Sequence, residues 1–249
     1  MSRKKRRITI TTSEALRRLD KMSPIIFRNV QNAIWIEATM EAGNDIVGSM
    51  PNRSFPGAGA YNRIMKSLAY DLAMHLARLY DIGARHRRPN EKDIASIPLA
   101  VRLLRQRRCK RVLCLRARDW ITYDASLNDV FENSCLQAIE QASEIYSRAV
   151  SGSIGRDGLR ILKEFRDNFV AHSLMNEADA NPLYHHLFYL TDCARDFVEH
   201  ARLAIEGKDE DLRKHEAIFV DDARRFWRMA LLGERDEMKA ISSQMEAGE

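Results

Sequence analysis

The sequence lacks the features that mark several common protein classes. Its 249 residues hold four cysteines and no C-x-x-C pair, and no histidine stands at zinc-finger spacing from Cys109, Cys114, Cys135 or Cys193. Reduced, mostly buried thiols are therefore expected, with neither disulfides nor zinc. No uninterrupted apolar run approaches the roughly 18 residues of a membrane span. The basic start MSRKKRRITITTSEALRR is not followed by the apolar h-region of a signal peptide, so the expected compartment is cytoplasmic. Strand-like alternation appears only in RITIT, which excludes an extensive sheet. FPGAGAYN lacks the third glycine of a dinucleotide fingerprint and the Lys-Ser/Thr of a P-loop. No Ser or Cys sits on a recognisable nucleophile elbow. His185 and His186 are adjacent and point about 100° apart on a helix, which does not make a two-ligand site without distant carboxylates. No cofactor and no metal is expected.

Charge is abundant but unevenly placed. Residues 1–118 carry 25 Lys and Arg against 9 Asp and Glu, a net +16, whereas residues 119–249 carry 15 against 26, a net −11. A one-sided positive field attracts a polyanion; the alternative is that the two halves neutralise each other within the fold or across a dimer.

Periods of three and four recur throughout, which predicts an all-α protein. Thr11 followed by Glu14 makes a capping-box start for a helix to about Met40. EAGNDIVGSMPNRSFPGAGA is dense enough in Gly and Pro to be read as a loop. A second helix follows from about Tyr61 to Asp81, with Ile64, Leu68, Leu72, Leu76 and Leu79 on one face and His75 beside them as a core or boundary residue. ASIPLAVRLLRQ resumes helix with Pro98 near its start. Further helices are expected over about 127–150, 156–172, 182–206 and 209–245. Residues 1–10 read as a disordered basic arm and 11–249 as one helical domain, in which 209–245 is a C-terminal packing helix.

Two segments carry candidate chemistry. VRLLRQRRCKRVLCLRARDW has eight Lys and Arg between Arg102 and Arg118 and no acid. Leu103, Leu104, Val112, Leu113 and Leu115 are placed to anchor it, while Arg105, Arg107, Arg108, Lys110 and Arg111 face outward as nucleic-acid contacts, each neutralised phosphate adding salt-sensitive affinity. Trp120 and Tyr123 beyond it are read either as core or as stacking platforms for unpaired bases. The other reading of the segment is a solvated basic face or a dock for an acidic protein.

The second segment is EFRDNFVAHS, with Arg166 and His172 six positions apart. In a chain that is about 12% Arg, about two or three R-x(4–6)-H matches arise by chance. There are two, the other running from Arg195 to His200. Six helical steps turn by about 240° and advance about 9 Å, so Arg166 and His172 do not converge from one regular helix. Two copies meeting across a twofold axis would bring both pairs into a shared cleft. That arrangement suits metal-independent RNA cleavage: His moves the 2′-hydroxyl or leaving-group proton near neutral pH, and Arg holds the phosphate and its developing charge. The nucleophile would be the RNA's own 2′-OH and the product a 2′,3′-cyclic phosphate. The alternative is that His172 only caps the C-terminal dipole of its helix.

LAYDLAMHLARLYD (68–81) with SIPLAVRLL (96–104), and LKEFRDNFVAHS (162–173), resemble the HEPN superfamily (higher eukaryotes and prokaryotes nucleotide-binding), in particular its AbiU-type branch associated with abortive infection. The resemblance spans most of residues 15–230. It implies a HEPN-like antiparallel helical bundle with additional flanking helices, forming a homodimer. Many such proteins are ribonuclease toxins or defence effectors, and others are noncatalytic RNA binders. It favours Arg166 and His172 over Arg195 and His200; beside that pair, Asp167 or Asn168 is expected to position the reacting groups. Related proteins paired with a nucleotidyltransferase antitoxin often carry Tyr shortly after the His; Ser173 and Leu174 stand there instead. The resulting expectation is a metal-independent endoribonuclease acting as a toxin or phage-defence effector. Its partners would be RNA, a second copy, and an antitoxin or defence-system protein, with no membrane. The alternative is a noncatalytic RNA- or protein-binding module in such a complex.

Overall fold

A computed structural model describes residues 10–51, 55–83, 94–120, 125–166 and 184–233. Eight α-helices account for nearly all of them, with no strand among the described residues. They are α1 (Thr12–Ser49), α2 (Ala58–Leu79), α3 (Ile97–Leu104), α4 (Arg107–Ala117), α5 (Asn128–Ser151), α6 (Ser153–Phe165), α7 (Tyr184–Glu206) and α8 (Leu212–Leu232). The all-α expectation holds. No helix of the described residues is long and apolar enough to cross a membrane.

α1 starts where the capping pattern places it. The Thr11 hydroxyl accepts the Glu14 N–H at 3.2 Å, satisfying a donor that the first turn leaves open. The Glu14 carboxylate is held by Arg17 and Arg18, each at 2.7 Å, whose hydrogen bonds pull it down to about 2.

The loop expected over 41–60 begins later than its composition suggests, because α1 continues to Ser49. Gly43 lies inside the helix, where an added Cβ would sit 3.0 Å from the Trp227 indole and 3.3 Å from the Tyr61 ring. Its glycine serves packing rather than a turn. Trp227 is buried there, its Nε1–H donating to the Thr39 carbonyl at 2.8 Å and its ring meeting Tyr61 edge-on at 5.2 Å. α8 is thereby fastened to α1.

The α2 stripe also differs in part. Leu72, Leu76 and Leu79 are fully buried, but Ile64 is exposed, and the inward line runs back through Ala69 and Met65 to Tyr61. Steps of four overshoot a 3.6-residue turn by about 40° each, so a run of them leaves the core face. In the basic segment Leu103, Leu104 and Leu113 are buried as expected, whereas Leu115 is exposed. A break at Arg105 and Gln106 separates α3 from α4 and resets the helical phase between them.

α5 and α7 form the central pair, with α1 packed against α2, α7 and α8. Arg202 of α7 is buried against α1, its guanidinium 3.0 Å from Glu206, 2.7 Å from Glu210 and 4.0 Å above the Phe27 ring. Burial alone would raise Glu206, but hydrogen bonds from Arg202, Ser23 and Lys208 hold it at about 2.

Candidate functional site

α6 carries the Arg of the candidate pair and is fixed by unusually close approaches. At Gly155 an added Cβ would collide with the Ala149 carbonyl at the end of α5, and at Gly158 it would come within 3.0 Å of Leu190 and 3.3 Å of His186 on α7. The absence of side chains there lets α6 press against both helices. At its other end Phe165 is buried, its ring 5.4 Å from Tyr70 of α2.

Arg166 follows Phe165 with helical backbone angles, φ −60° and ψ −47°, and its N–H donates to the Leu162 and Lys163 carbonyls. Its Nη1 donates to Asp81 Oδ1 at 3.2 Å across to the end of α2, and both side chains are part-exposed. The same oxygen accepts the Gly83 N–H at 2.7 Å, and Gly83 takes a φ of +65°, a conformation glycine adopts without strain. The turn after α2 thus fixes the carboxylate, and the carboxylate fixes the guanidinium. Beside them opens a cavity of about 740 Å³ with Lys163 and Arg166 on one side and Tyr146, Val150, Leu159 and Pro98 among its apolar walls.

Asp167, Asn168 and His172 lie outside the described residues, as does Tyr123. Asp81 was missed in the sequence; its only signal is an Asp two residues before Gly83, the pattern of a side-chain-stabilised turn.

The competing pair is differently situated. Arg195 is only 12% exposed and is enclosed by Asp192 at 2.8 Å, Glu216 at 2.8 Å and Asp196 at 3.4 Å. Three carboxylates around one guanidinium make it a structural cation joining α7 to α8. His200 lies in a shallow depression with Arg148, Arg213 and Glu199.

The basic segment divides between structural and exposed cations. Arg105 Nη2 donates to the Ser143 carbonyl at 2.9 Å and to Ser147 Oγ at 2.6 Å, tying the α3–α4 break to α5. Arg108 bonds Gln106 Oε1 at 2.9 Å and 2.8 Å and donates to the Ile10 carbonyl. Lys110 lies 3.8 Å from Glu140, and Arg116 lies 3.2 Å from Asp20. Arg107 and Arg111 are exposed on α4, which the buried Cys109, Leu113 and Ala117 anchor. Trp120 is half-buried, 6.1 Å from Phe131, with its ring 2.5 Å from where a Cβ at Gly207 would stand.

His75 and the four cysteines are buried or half-buried. His75 is buried, its Nδ1 3.1 Å from Asn29 Oδ1; burial lowers its pKa, against a smaller opposing effect of Asp71. Cys109, Cys135 and Cys193 are buried thiols and Cys114 is half-buried. Among the described residues no group of three or more His, Cys, Asp or Glu is arranged to hold a metal ion.

Comparison with known families identifies the chain that forms these helices. The family model HEPN_AbiU2, described as AbiU2, matches residues 44–226. The chain belongs to the AbiU2 family of HEPN proteins. No curated protein and no solved structure matches it.

Proposed function

We propose that this protein is a metal-independent endoribonuclease of the HEPN type, acting as a toxin or phage-defence effector. Arg166 carries this reading: it stands at the end of α6, oriented by Asp81 and beside an open cavity, while Arg195, the other candidate, is enclosed by carboxylates. In the proposed reaction Arg166 holds the scissile phosphate and the charge that develops on it. His172 removes the proton of the ribose 2′-hydroxyl or supplies one to the leaving 5′-oxygen. The 2′-oxygen forms a bond to phosphorus and the bond to the 5′-oxygen breaks, giving a 2′,3′-cyclic phosphate and a 5′-hydroxyl. Asp167 or Asn168 positions the reacting groups, and a second copy completes the cleft. Arginine and histidine together supply the charge stabilisation and proton transfer that this reaction needs.

The test is incubation of the purified protein with total RNA in EDTA. Fragments ending in 2′,3′-cyclic phosphate are expected from the wild type and not from His172→Ala. Fragments that require added divalent metal, or that end in a 3′-hydroxyl, would refute the mechanism.

The exposed Arg107 and Arg111 on α4 favour a second reading, a noncatalytic module that binds RNA or an acidic partner in a defence or toxin–antitoxin complex. Salt-sensitive RNA binding without cleavage would support it. In either reading Arg107 and Arg111 are the stronger phosphate contacts, because Arg105, Arg108 and Lys110 also serve bonds within the fold.

A further inference from the structure

α8 presents two apolar faces. One, with Leu212, Ala223 and Trp227, is buried against α1. On the other side Ile218, Phe226, Met229 and Leu232 are each between 46% and 59% exposed. The patch extends onto α1 through Trp35, half exposed and stacked flat on Phe219 at 4.8 Å. A helix that buries one face on its own domain ordinarily turns polar residues outward, so a second apolar stripe needs a partner.

The spacing of the outer stripe indicates which partner. Ile218, Asp222, Arg225 and Met229 follow one another at steps of four, three and four, which keeps them on one line along the helix. The order is apolar, acidic, basic, apolar. When a second copy of α8 runs antiparallel about a twofold axis midway between Asp222 and Arg225, Ile218 of each copy meets Met229 of the other. In the same register Asp222 of each copy meets Arg225 of the other. Both charged residues are exposed, and neither has an ion-pair partner among the described residues. A face that complements itself in apolar contacts and in charge under one twofold operation is suited to an isologous contact.

We propose that the outer face of α8 docks on the same face of a second copy of this chain, antiparallel, with two symmetry-related Asp222–Arg225 pairs across the interface. This contact is separate from the one around Arg166 and His172 and does not depend on RNA cleavage. If both contacts form, the assembly has two kinds of twofold interface.

Charge reversal tests it. In Asp222→Arg an arginine faces Arg225 of the other copy, and in Arg225→Asp an aspartate faces Asp222. Each single change is expected to lower the light-scattering mass of the full chain to half that of the wild type at equal concentration, with circular dichroism unchanged. The double variant and an equimolar mixture of the two single variants each restore opposite charges across the axis, and both should recover the wild-type mass. Unchanged mass in the single variants would overturn the interface. Reduced mass without recovery in the double variant or the mixture would overturn the antiparallel register. A wild type that is monomeric at every concentration would also overturn the proposal, leaving residues 234–249 of the same chain as the candidate cover.

Discussion

Replacing Glu37 with glutamine should change how the stability of this protein depends on pH. Glu37 lies on α1 where that helix packs against α7. Burial pushes its carboxyl from an ordinary 4.5 up to about 9, the negative charges of Asp192, Glu41 and Glu216 push the same way, and a hydrogen bond from Thr191 offsets only part. Arg195 does not relieve it, because that guanidinium is shared among Asp192, Asp196 and Glu216. Below about pH 4.5 the group is protonated in both folded and unfolded chains and contributes no pH dependence. Between about 4.5 and 9 the unfolded chain releases a proton that the folded chain retains, so the group's contribution to stability falls as pH rises. At ~1.4 kcal/mol per pH unit, the loss by pH 7 is on the order of 3 kcal/mol. Glu37→Gln keeps the size and polarity of the group and cannot ionise. Urea unfolding over a pH series should find the variant about equal to the wild type near pH 4.5 and more stable by about 3 kcal/mol at pH 7. A difference that is the same at every pH would refute the burial argument.

Three further predictions concern the parts that position Arg166 and hold the bundle. Gly155→Ala, which drives a methyl into the Ala149 carbonyl, should cost about 2 kcal/mol or more and appear as a lowered melting temperature; unaltered melting would show that α6 sits further from α5. Arg202→Leu leaves Glu206 and Glu210 without their buried cation and should cost about 3 kcal/mol in urea unfolding, most of it regained at a pH low enough to protonate both carboxylates. Asp81→Asn should lower RNA cleavage about tenfold through the orientation of Arg166, with melting unchanged and Asp81→Glu recovering part of the rate; equal rates in all three proteins would remove Asp81 from the site.

Helix identity was readable because apolar periodicity and the Thr11 cap are local signals. The extent of α1 was not, since glycine reads as a breaker until Trp227, nearly two hundred residues away, shows that Gly43 is required for packing. The α2 stripe failed at Ile64 for a geometric reason, the drift that accumulates over steps of four. In the candidate site the motif draws attention to Arg166 but not to Asp81, because a carboxylate that orients an arginine 85 positions away leaves no short-range pattern. Likewise charge density alone did not separate Arg105 and Arg108, which brace the fold, from Arg107 and Arg111, which face solvent.

Single-turnover cleavage rates measure most directly whether Arg166 and His172 act together on RNA. Arg166→Ala and His172→Ala, each confirmed to melt with the wild type, should lose about 10²- to 10⁴-fold in rate in EDTA. Arg195→Ala corrected for its lost stability should keep the wild-type rate. Cleavage that survives in either of the first two variants, or that disappears only with Arg195, would contradict a shared role of Arg166 and His172.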